Sequence, residues 1–366
     1  MATYNKVIKK SLLSNIPRFF MCGLSCFLSK PKAISLPLRA EIENGVGCNL
    51  KCKMCAINNM KRKRGFLTFE KFKIIYDQIN PPYCNLTGYT ESFLNKDIFK
   101  MIKYAKSKGS FVKMDSNATI MNKKIIRQII DSGLDSISIS IDGATQKTYG
   151  KIRVGGKLKD VLSNLKELTR QKKEERSNLN IFIAIIVQKE NLNEIIDTIK
   201  LLDGIGADEI NLVPITEYDI KEYEKFTLEE CIGDLKKIID KISNLRTKTK
   251  VNFEDLLRYL RDYKNKNLTC EKEVCYAPWY DVYVTWEGDV VPCCYFYDNQ
   301  LCFGNIFKED FEKIWNNKAY QNFRKSMAQS RRFKICQTCR SEHSFLEDKF
   351  KILRKIPLIK NISNRN

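Results

Sequence analysis

The chain has 366 residues, 43% of them hydrophobic, so it can bury a core and build one large domain with a smaller one beside it. Its formal charge is +21, but the lysines are spread along the chain and no nucleic-acid-binding motif accompanies them. That argues against a nucleic-acid role and leaves a mild preference for an anionic substrate, surface or partner. Fourteen cysteines in so long a chain, without a convincing export signal, argue against a disulfide scaffold and for ligand thiols in a reducing cytoplasm.

Residues 1–35 read as a basic amphipathic extension. Val7 to Leu28 is mostly apolar, but Pro17 and Arg18 interrupt it, so no unbroken run of about 20 apolar residues is present to span a membrane. Leu12, Ile16, Phe19, Phe20, Leu24, Phe27 and Leu28 recur at roughly helical spacing. Such a segment packs on the outside of the main domain or, as a basic amphipathic helix, makes weak contact with a membrane surface.

Leu36 to Ile42 reads as the first strand, and a cysteine loop follows it. The basic run Lys61 to Arg64 reads as solvated, though it can also cover that loop. Phe72, Ile75, Tyr76 and Ile79 mark a helix face that ends at Pro81 and Pro82. Cys84 to Thr87 is a short strand running into Gly88-Tyr89-Thr90-Glu91-Ser92. The pattern then repeats. Ile98, Met101, Ile102 and Ala105 mark a helix, Phe111 to Met114 a strand, and Ile125, Ile126, Ile129 and Ile130 a helix. Ile137, Ile139 and Ile141 lie in a strand entering Asp142-Gly143. Leu158, Val161, Leu162, Leu165 and Leu168 mark a longer helix. Ile181 to Val187 is a strand, Leu192, Ile195, Ile196, Ile199 and Leu202 a helix, and Glu209 to Val213 the last strand.

Six short strands, expected to be mostly buried on both faces, thus alternate with helices. The class is α/β with a parallel sheet and right-handed crossovers. The count suggests a partial (β/α)6, TIM-like barrel over residues 36–215, with its chemistry at the C-terminal ends of the strands. Residues 216–269, charged and helical from Thr227 to Tyr263, read as a bridge. A small second domain occupies 270–343. In it, Tyr280 to Thr285 and Val290 to Cys293 flank Glu287-Gly288-Asp289 as a hairpin, and Phe311 to Met327 looks helical. Residues 344–366 form a basic tail.

Two cysteine sets carry the chemistry. Cys48, Cys52 and Cys55 stand at C-x3-C-x2-C. A four-iron cluster needs one thiolate per iron, so three close thiolates leave one iron open to a small molecule. Zinc is the alternative on spacing alone, but structural zinc prefers four Cys or His ligands, often in pairs. The one histidine, His343, lies far off and reads as structural or solvated. Cys275 and Cys293 with Gly288 between them, then Cys336 and Cys339, make the second set. Four thiolates from a hairpin and a later turn can enclose a cluster completely.

Gly47 to Cys55 resembles the signature of the radical S-adenosylmethionine (radical SAM) superfamily. The resemblance implies that the open iron chelates the amino nitrogen and carboxylate of S-adenosylmethionine. One electron then cleaves the sulfonium and yields a 5′-deoxyadenosyl radical that takes a substrate hydrogen; the cofactor does the hard chemistry and the protein positions it. Met54 stands where the family usually has an aromatic residue, and its thioether can pack on an adenine face. By the same resemblance Glu91, in place of the acid of a Gly-Gly-Glu-Pro motif, accepts hydrogen bonds from the methionyl ammonium. Arg153 pairs with the methionyl carboxylate through its planar fork of donors. Ser116 and Asn117 end strand three, Ser140 and Asp142 end strand four near the methionyl end or ribose, Gln188 ends strand five, and Val213 ends strand six by the adenine.

The stretches Cys275-Tyr276-Ala277-Pro278-Trp279, Gly288 to Cys294, Gly304-Asn305-Ile306, Ile314-Trp315-Asn316 and Cys336 to Cys339 resemble the SPASM/twitch extension of radical SAM enzymes. No cysteine follows Cys339, which fits the truncated, twitch form with a single auxiliary [4Fe–4S] cluster. Cys22, Cys26, Cys84, Cys231, Cys270, Cys294 and Cys302 receive no role, although Cys294 can exchange with Cys293, and Cys270 or Cys302 can serve as a stray ligand.

Three functions follow as expectations. The first is a radical SAM oxidoreductase acting on a polar, sugar- or cyclitol-like metabolite. The auxiliary cluster accepts the electron, and flavodoxin or ferredoxin is the external donor. The second is a peptide- or protein-modifying maturase, against which stands the short stretch of about 35 residues before the first strand. The third is a non-enzymatic zinc scaffold.

Overall fold

A computed structural model describes residues 15–215, 226–264, 274–331, 333–337 and 339. Residues 1–14, parts of the bridge, Cys270, His343 and the 344–366 tail lie outside the described residues.

The extension folds as a helix, α1 (Ile16–Leu28), with Pro17 in its first turn. It takes the outside-packing alternative: Cys22 and Cys26 are buried, while Ile16 and Phe20 remain exposed. The Cys22 thiol donates to the Trp279 carbonyl oxygen at 3.3 Å. Arg18 donates to the carbonyls of Ile79 and Asn80 at 2.9 and 2.7 Å. These close the C-terminal end of α2 (Phe69–Ile79), whose last carbonyls have no partner within the helix.

The barrel core follows the expected alternation. After α1 come β1 (Arg39–Glu43), a short antiparallel pair β2 (Gly45–Val46) and β3 (Gly65–Phe66) around the cysteine loop, and α2. Then come β4 (Tyr83–Thr87), α3 (Ile98–Ser107), β5 (Phe111–Ser116), α4 (Lys123–Asp131) and β6 (Ser136–Ser140). Next are α5 (Gln146–Ile152), α6 (Leu158–Glu174), β7 (Asn180–Val187), α7 (Ile195–Leu202) and β8 (Glu209–Pro214). Local chemistry starts several of these helices: Thr68, Asn122 and Thr145 each accept an N-terminal N–H through the side chain, a cap worth about 1 kcal/mol.

Residues 36–215 do not hold the whole sheet. The bridge contributes α8 (Ile232–Ser243), a short strand β9 (Lys250–Asn252) parallel to β8, and α9 (Glu254–Lys264). Three residues of strand among charged helices carry too little periodicity to be seen in sequence. At the other edge, the first strand of the hairpin joins the barrel sheet. After the short helix α10 (Ala277–Tyr280), β10 (Asp281–Val284) pairs parallel with β1 and antiparallel with β11 (Asp289–Val291), and β12 (Gly304–Asn305) follows. The order is β12-β11-β10-β1-β4-β5-β6-β7-β8-β9.

The strands are not buried on both faces, contrary to the sequence expectation. Ile42, Leu86, Met114, Ile137 and Ile181 are register neighbours, all 0% exposed, and belong to the apolar core shared with the helices. The opposite, helix-free face carries Glu41, Asn85, Lys113, Asp115, Ser138, Ser140 and Asn211, and from Lys113 onward these are half-buried. Successive strand residues point to opposite sides, so a strand that looks apolar in a run of Ile can still present every second residue to an accessible channel.

The second domain packs on aromatic rings. The segment 311–327 is two helices, α11 (Phe311–Trp315) and α12 (Lys318–Ala328), broken where Asn317 caps the second. Arg324 is 0% exposed and lies over the rings of Trp315 and Tyr320 at 4.3 and 4.2 Å. It donates to the carbonyls of Pro278, Trp315 and Pro31, and burial pushes its guanidinium down to about 10. Trp279 and Trp315 donate to the carbonyls of Lys30 and Ser35. The extension is thus stapled to the second domain as well as to the barrel. Among the described residues no helix is long and apolar enough to cross a membrane.

Candidate functional site

Cys48, Cys52 and Cys55 occupy the loop between β2 and β3, beyond the C-terminal end of β1. Backbone hydrogen bonds string this loop between two neighbours. Gly47 donates to Tyr89 and accepts from Glu91 at 3.1 and 3.0 Å; Lys51 and Lys53 donate to the carbonyls of Val154 and Ile152 at 2.9 and 3.3 Å. Gly88, at φ +139°, runs so close to β2 that a Cβ would lie 2.8 Å from the Gly45 carbonyl oxygen.

Polar groups surround the thiols. Asn117 Nδ2 lies 3.6 Å from Cys48 Sγ, and Arg153 Nη1 lies 3.8 Å from Cys52 Sγ. Burial pushes the Cys48 thiol up and that of Cys55 up to about 11, so binding metal here releases protons. Glu91 is fully buried and accepts from Ser116 Oγ at 2.8 Å, the Asn117 N–H at 2.7 Å and the Phe93 N–H at 3.3 Å. Burial still pushes its carboxyl up to about 6, against those hydrogen bonds.

Asp142 pairs with Arg153. It is fully buried, and its oxygens accept from Arg153 Nε at 2.5 Å and the Ile186 N–H at 2.7 Å. Asp142 therefore orients Arg153. Burial works against the Arg153 charge, but Asp142 and the Cys52 thiol hold it well above its ordinary value. Gln188 is 1% exposed; its N–H donates to Asn191 Oδ1, while its Nε2 is buried with no partner among the described residues. A buried donor left unpaired is costly, so a ligand acceptor would be favoured there. Ser140 and Val213 are half-buried on the helix-free face, and Met54 is half-buried between Cys52 and Cys55.

The second set is also brought together. Cys275, Cys293, Cys336 and Cys339 line one cavity of about 400 Å³, counting its mouth, with Pro278, Pro292, Phe296, Phe323, Met327 and Ile335 among its walls. Burial pushes the Cys293 thiol well up. Among the described residues no three Cys, His, Asp or Glu side chains already meet around the point a single ion would occupy. Gly288, at φ +89°, turns the hairpin under Phe307, whose ring a Cβ would meet at 2.4 Å. Cys294 does not line the cavity. It is half-buried, with Glu41, Arg39 and Asp281 as charged neighbours. Cys84 is core, Cys231 packs against the core, and Cys302 is exposed with its thiol on the Gly304 carbonyl.

Sequence reasoning missed a charged group at the β1–β10 seam. Arg39 Nη2 is 2.7 Å from Asp281 and also pairs with Glu41, and burial raises the Asp281 carboxyl despite Arg39. Glu43, the last residue of β1, is 0% exposed. The available signal was the alternation Arg39-Ala40-Glu41-Ile42-Glu43, which places every charge of the first strand on one face.

Comparison with known proteins agrees with these two sites. Residues 42–202 match the radical SAM superfamily, and residues 275–340 match SPASM, an iron-sulfur cluster-binding domain. A tungsten-containing aldehyde ferredoxin oxidoreductase cofactor-modifying protein of Pyrococcus furiosus is 22% identical over 302 residues, 76% of this chain and 80% of that one. The antilisterial bacteriocin subtilosin biosynthesis protein AlbA of Bacillus subtilis is 23% identical over 304 residues, 77% of this chain and 60% of that one. The crystal structure of Streptococcus suis SuiB bound to S-adenosylmethionine shares the fold, with a TM-score of 0.62 at 17% identity over 85% of this chain and 74% of that one. The two matched domains imply S-adenosylmethionine and two [4Fe–4S] clusters as cofactors, and an all-thiol donor set in groups of three and four suits them. The chain belongs to the radical SAM superfamily and carries a SPASM-type cluster-binding domain beside its barrel.

Proposed function

We propose that this radical SAM enzyme is an oxidoreductase that dehydrogenates a polar, sugar- or cyclitol-like metabolite, with the auxiliary cluster taking the electron and a flavodoxin or ferredoxin as external donor. When bound, S-adenosylmethionine and its cluster supply the radical that removes a substrate hydrogen. In this reading Cys48, Cys52 and Cys55 ligate the first cluster. Glu91, oriented by Ser116 and Asn117, accepts from the methionyl ammonium. Arg153, aimed by Asp142, donates to the methionyl carboxylate, and Gln188 Nε2 donates to a further acceptor. Met54, Ser140 and Val213 line the remainder. Cys275, Cys293, Cys336 and Cys339 ligate the auxiliary cluster.

The observation that carries the proposal is the helix-free face of the sheet. Lys113, Asp115, Ser138, Ser140 and Asn211 are half-buried along it, and Thr87 Oγ1 donates to Asp115 at 3.4 Å. A face with this many donors and acceptors suits a hydroxyl-rich substrate, since each buried polar group needs a partner. A metabolite panel deuterated at carbinol carbons, incubated with reconstituted enzyme, dithionite and S-adenosylmethionine, tests it. Deuterium in 5′-deoxyadenosine from a polyol or cyclitol supports the proposal; transfer from peptides alone sinks it. A second reading, a peptide maturase, is supported by AlbA, whose name assigns it to bacteriocin biosynthesis.

A further inference from the structure

Arg62 belongs to the basic run that the sequence reads as solvated, yet its side chain is only 6% exposed. Nη1 and Nη2 donate to the two oxygens of Glu43 at 2.9 and 2.7 Å. Nε donates to the Tyr297 carbonyl at 2.7 Å. The backbone N–H groups of Lys61 and Arg62 both donate to Asp298 Oδ1, at 2.8 and 2.9 Å. Glu43 also accepts from Tyr283 Oη at 3.0 Å and the Trp286 N–H at 3.1 Å. Across the loop, Tyr89 Oη donates to the Cys294 carbonyl at 2.6 Å, and its ring meets Tyr297 edge-on at 6.0 Å.

The Arg62–Glu43 fork lies within the radical-forming side, and the other contacts join that side to the auxiliary side. Glu43 ends the strand that leads to Cys48, and Tyr89 lies two residues before Glu91. Cys294 adjoins Cys293, and Tyr297 and Asp298 follow in the same loop. The buried fork fixes Arg62 and Glu43 against each other, so that Arg62 Nε meets the Tyr297 carbonyl and Glu43 meets Tyr283 and Trp286 across the seam. A bidentate fork contributes direction, selecting one arrangement out of many.

We propose that Arg62 and Tyr89 are positioning residues that clamp the auxiliary loop to the cysteine loop and set the separation of the two cluster sites. This rests on the reading that both thiol sets hold clusters. Electron transfer falls steeply with distance, so a loosened clamp would leave each cluster intact while spoiling communication between them.

The test is dipolar EPR between the two reduced clusters of the reconstituted holoenzyme. The wild type should give one narrow distance. Arg62→Gln and Tyr89→Phe should each broaden or lengthen it, and Arg62→Lys should not restore it, because an ammonium cannot replace the planar fork. Iron content of about eight per chain, and the spectral response of the first cluster to S-adenosylmethionine, should stay as in the wild type. If Arg62→Gln fails to fold, Tyr89→Phe, which removes one hydroxyl and keeps the ring, decides. An unchanged distance in Tyr89→Phe overturns the proposal. A wild type with only about four irons overturns the two-cluster reading itself, and the proposal with it.

Discussion

The two thiol sites differ in what surrounds them. Cys48, Cys52 and Cys55 stand among ionisable and hydrogen-bonding groups: Asn117, Arg153 with its partner Asp142, and buried Glu91. Cys275, Cys293, Cys336 and Cys339 stand among prolines, Phe296, Phe323, Met327 and Ile335. In the proposed reading the first site offers charge to a zwitterionic ligand and leaves a corner for it. In the same reading the second holds its metal with thiols alone, behind walls that are largely apolar. On that reading, one chain thus builds a site for chemistry and a site for electron storage from the same ligand type, by changing ligand number and second neighbours.

Removing one ligand from each site breaks that comparison most directly. Cys52→Ala should abolish reductive cleavage of S-adenosylmethionine, read as 5′-deoxyadenosine released, and cut iron to about four per chain. Cys336→Ala should keep some cleavage but lose substrate turnover; equal loss of both activities would show that the second site is not auxiliary.

Arg153→Met comes next in size. It leaves Asp142 buried and unpaired, which costs about 3–5 kcal/mol, read from the denaturant midpoint. Asp142→Asn should destabilise as well and weaken S-adenosylmethionine binding, because Arg153 loses its orienting partner. An Asp142→Asn protein with unchanged affinity would show that Arg153 does not depend on it.

The smallest effect sharpens the electrostatic side. Glu91 has its carboxyl raised from 4.5 to about 6 by burial, so the folded apoprotein binds the proton more tightly than the unfolded chain. The cost of ionising it is absent below the unfolded value and fully present above about pH 6, where it amounts to about 2 kcal/mol. Apo Glu91→Gln should therefore melt higher than the wild type at pH 7.5, and the gap should close near pH 4.5. A gap that widens on acidification would reverse the sign and exclude burial as the cause.

Much of this was legible in sequence, for definable reasons. The βα alternation rests on apolar periodicity, which is local, so strands from Cys84 to Val213 fall within a residue or two of their expected ends, while the helix marked from Leu158 to Leu168 runs on to Glu174 and the short helix Gln146–Ile152 was not expected. The thiol triplet is local too, and its neighbours Glu91, Ser116 and Asn117 end successive strands, so a parallel sheet had to bring them together. The face polarity of the strands was missed because Ile-rich runs hide a two-residue alternation. The burial of Arg62 was missed because a Lys-Arg run is usually solvated. The pairing of β10 with β1 joins residues 39–43 to 281–284, a separation at which no local pattern helps.

The sequence by itself determined the kind of chemistry: cysteine spacing decides how many thiolates can reach one cluster, and strand–helix alternation decides that they do so at the end of a parallel sheet. Only the tertiary structure decided the partners. It gave Asp142 to Arg153, Glu43 to Arg62, and Cys293 but not Cys294 to the auxiliary cavity. Which charge meets which depends on side chains converging from distant elements in a desolvated space, and there the energy of a pair is set by geometry that no linear spacing encodes.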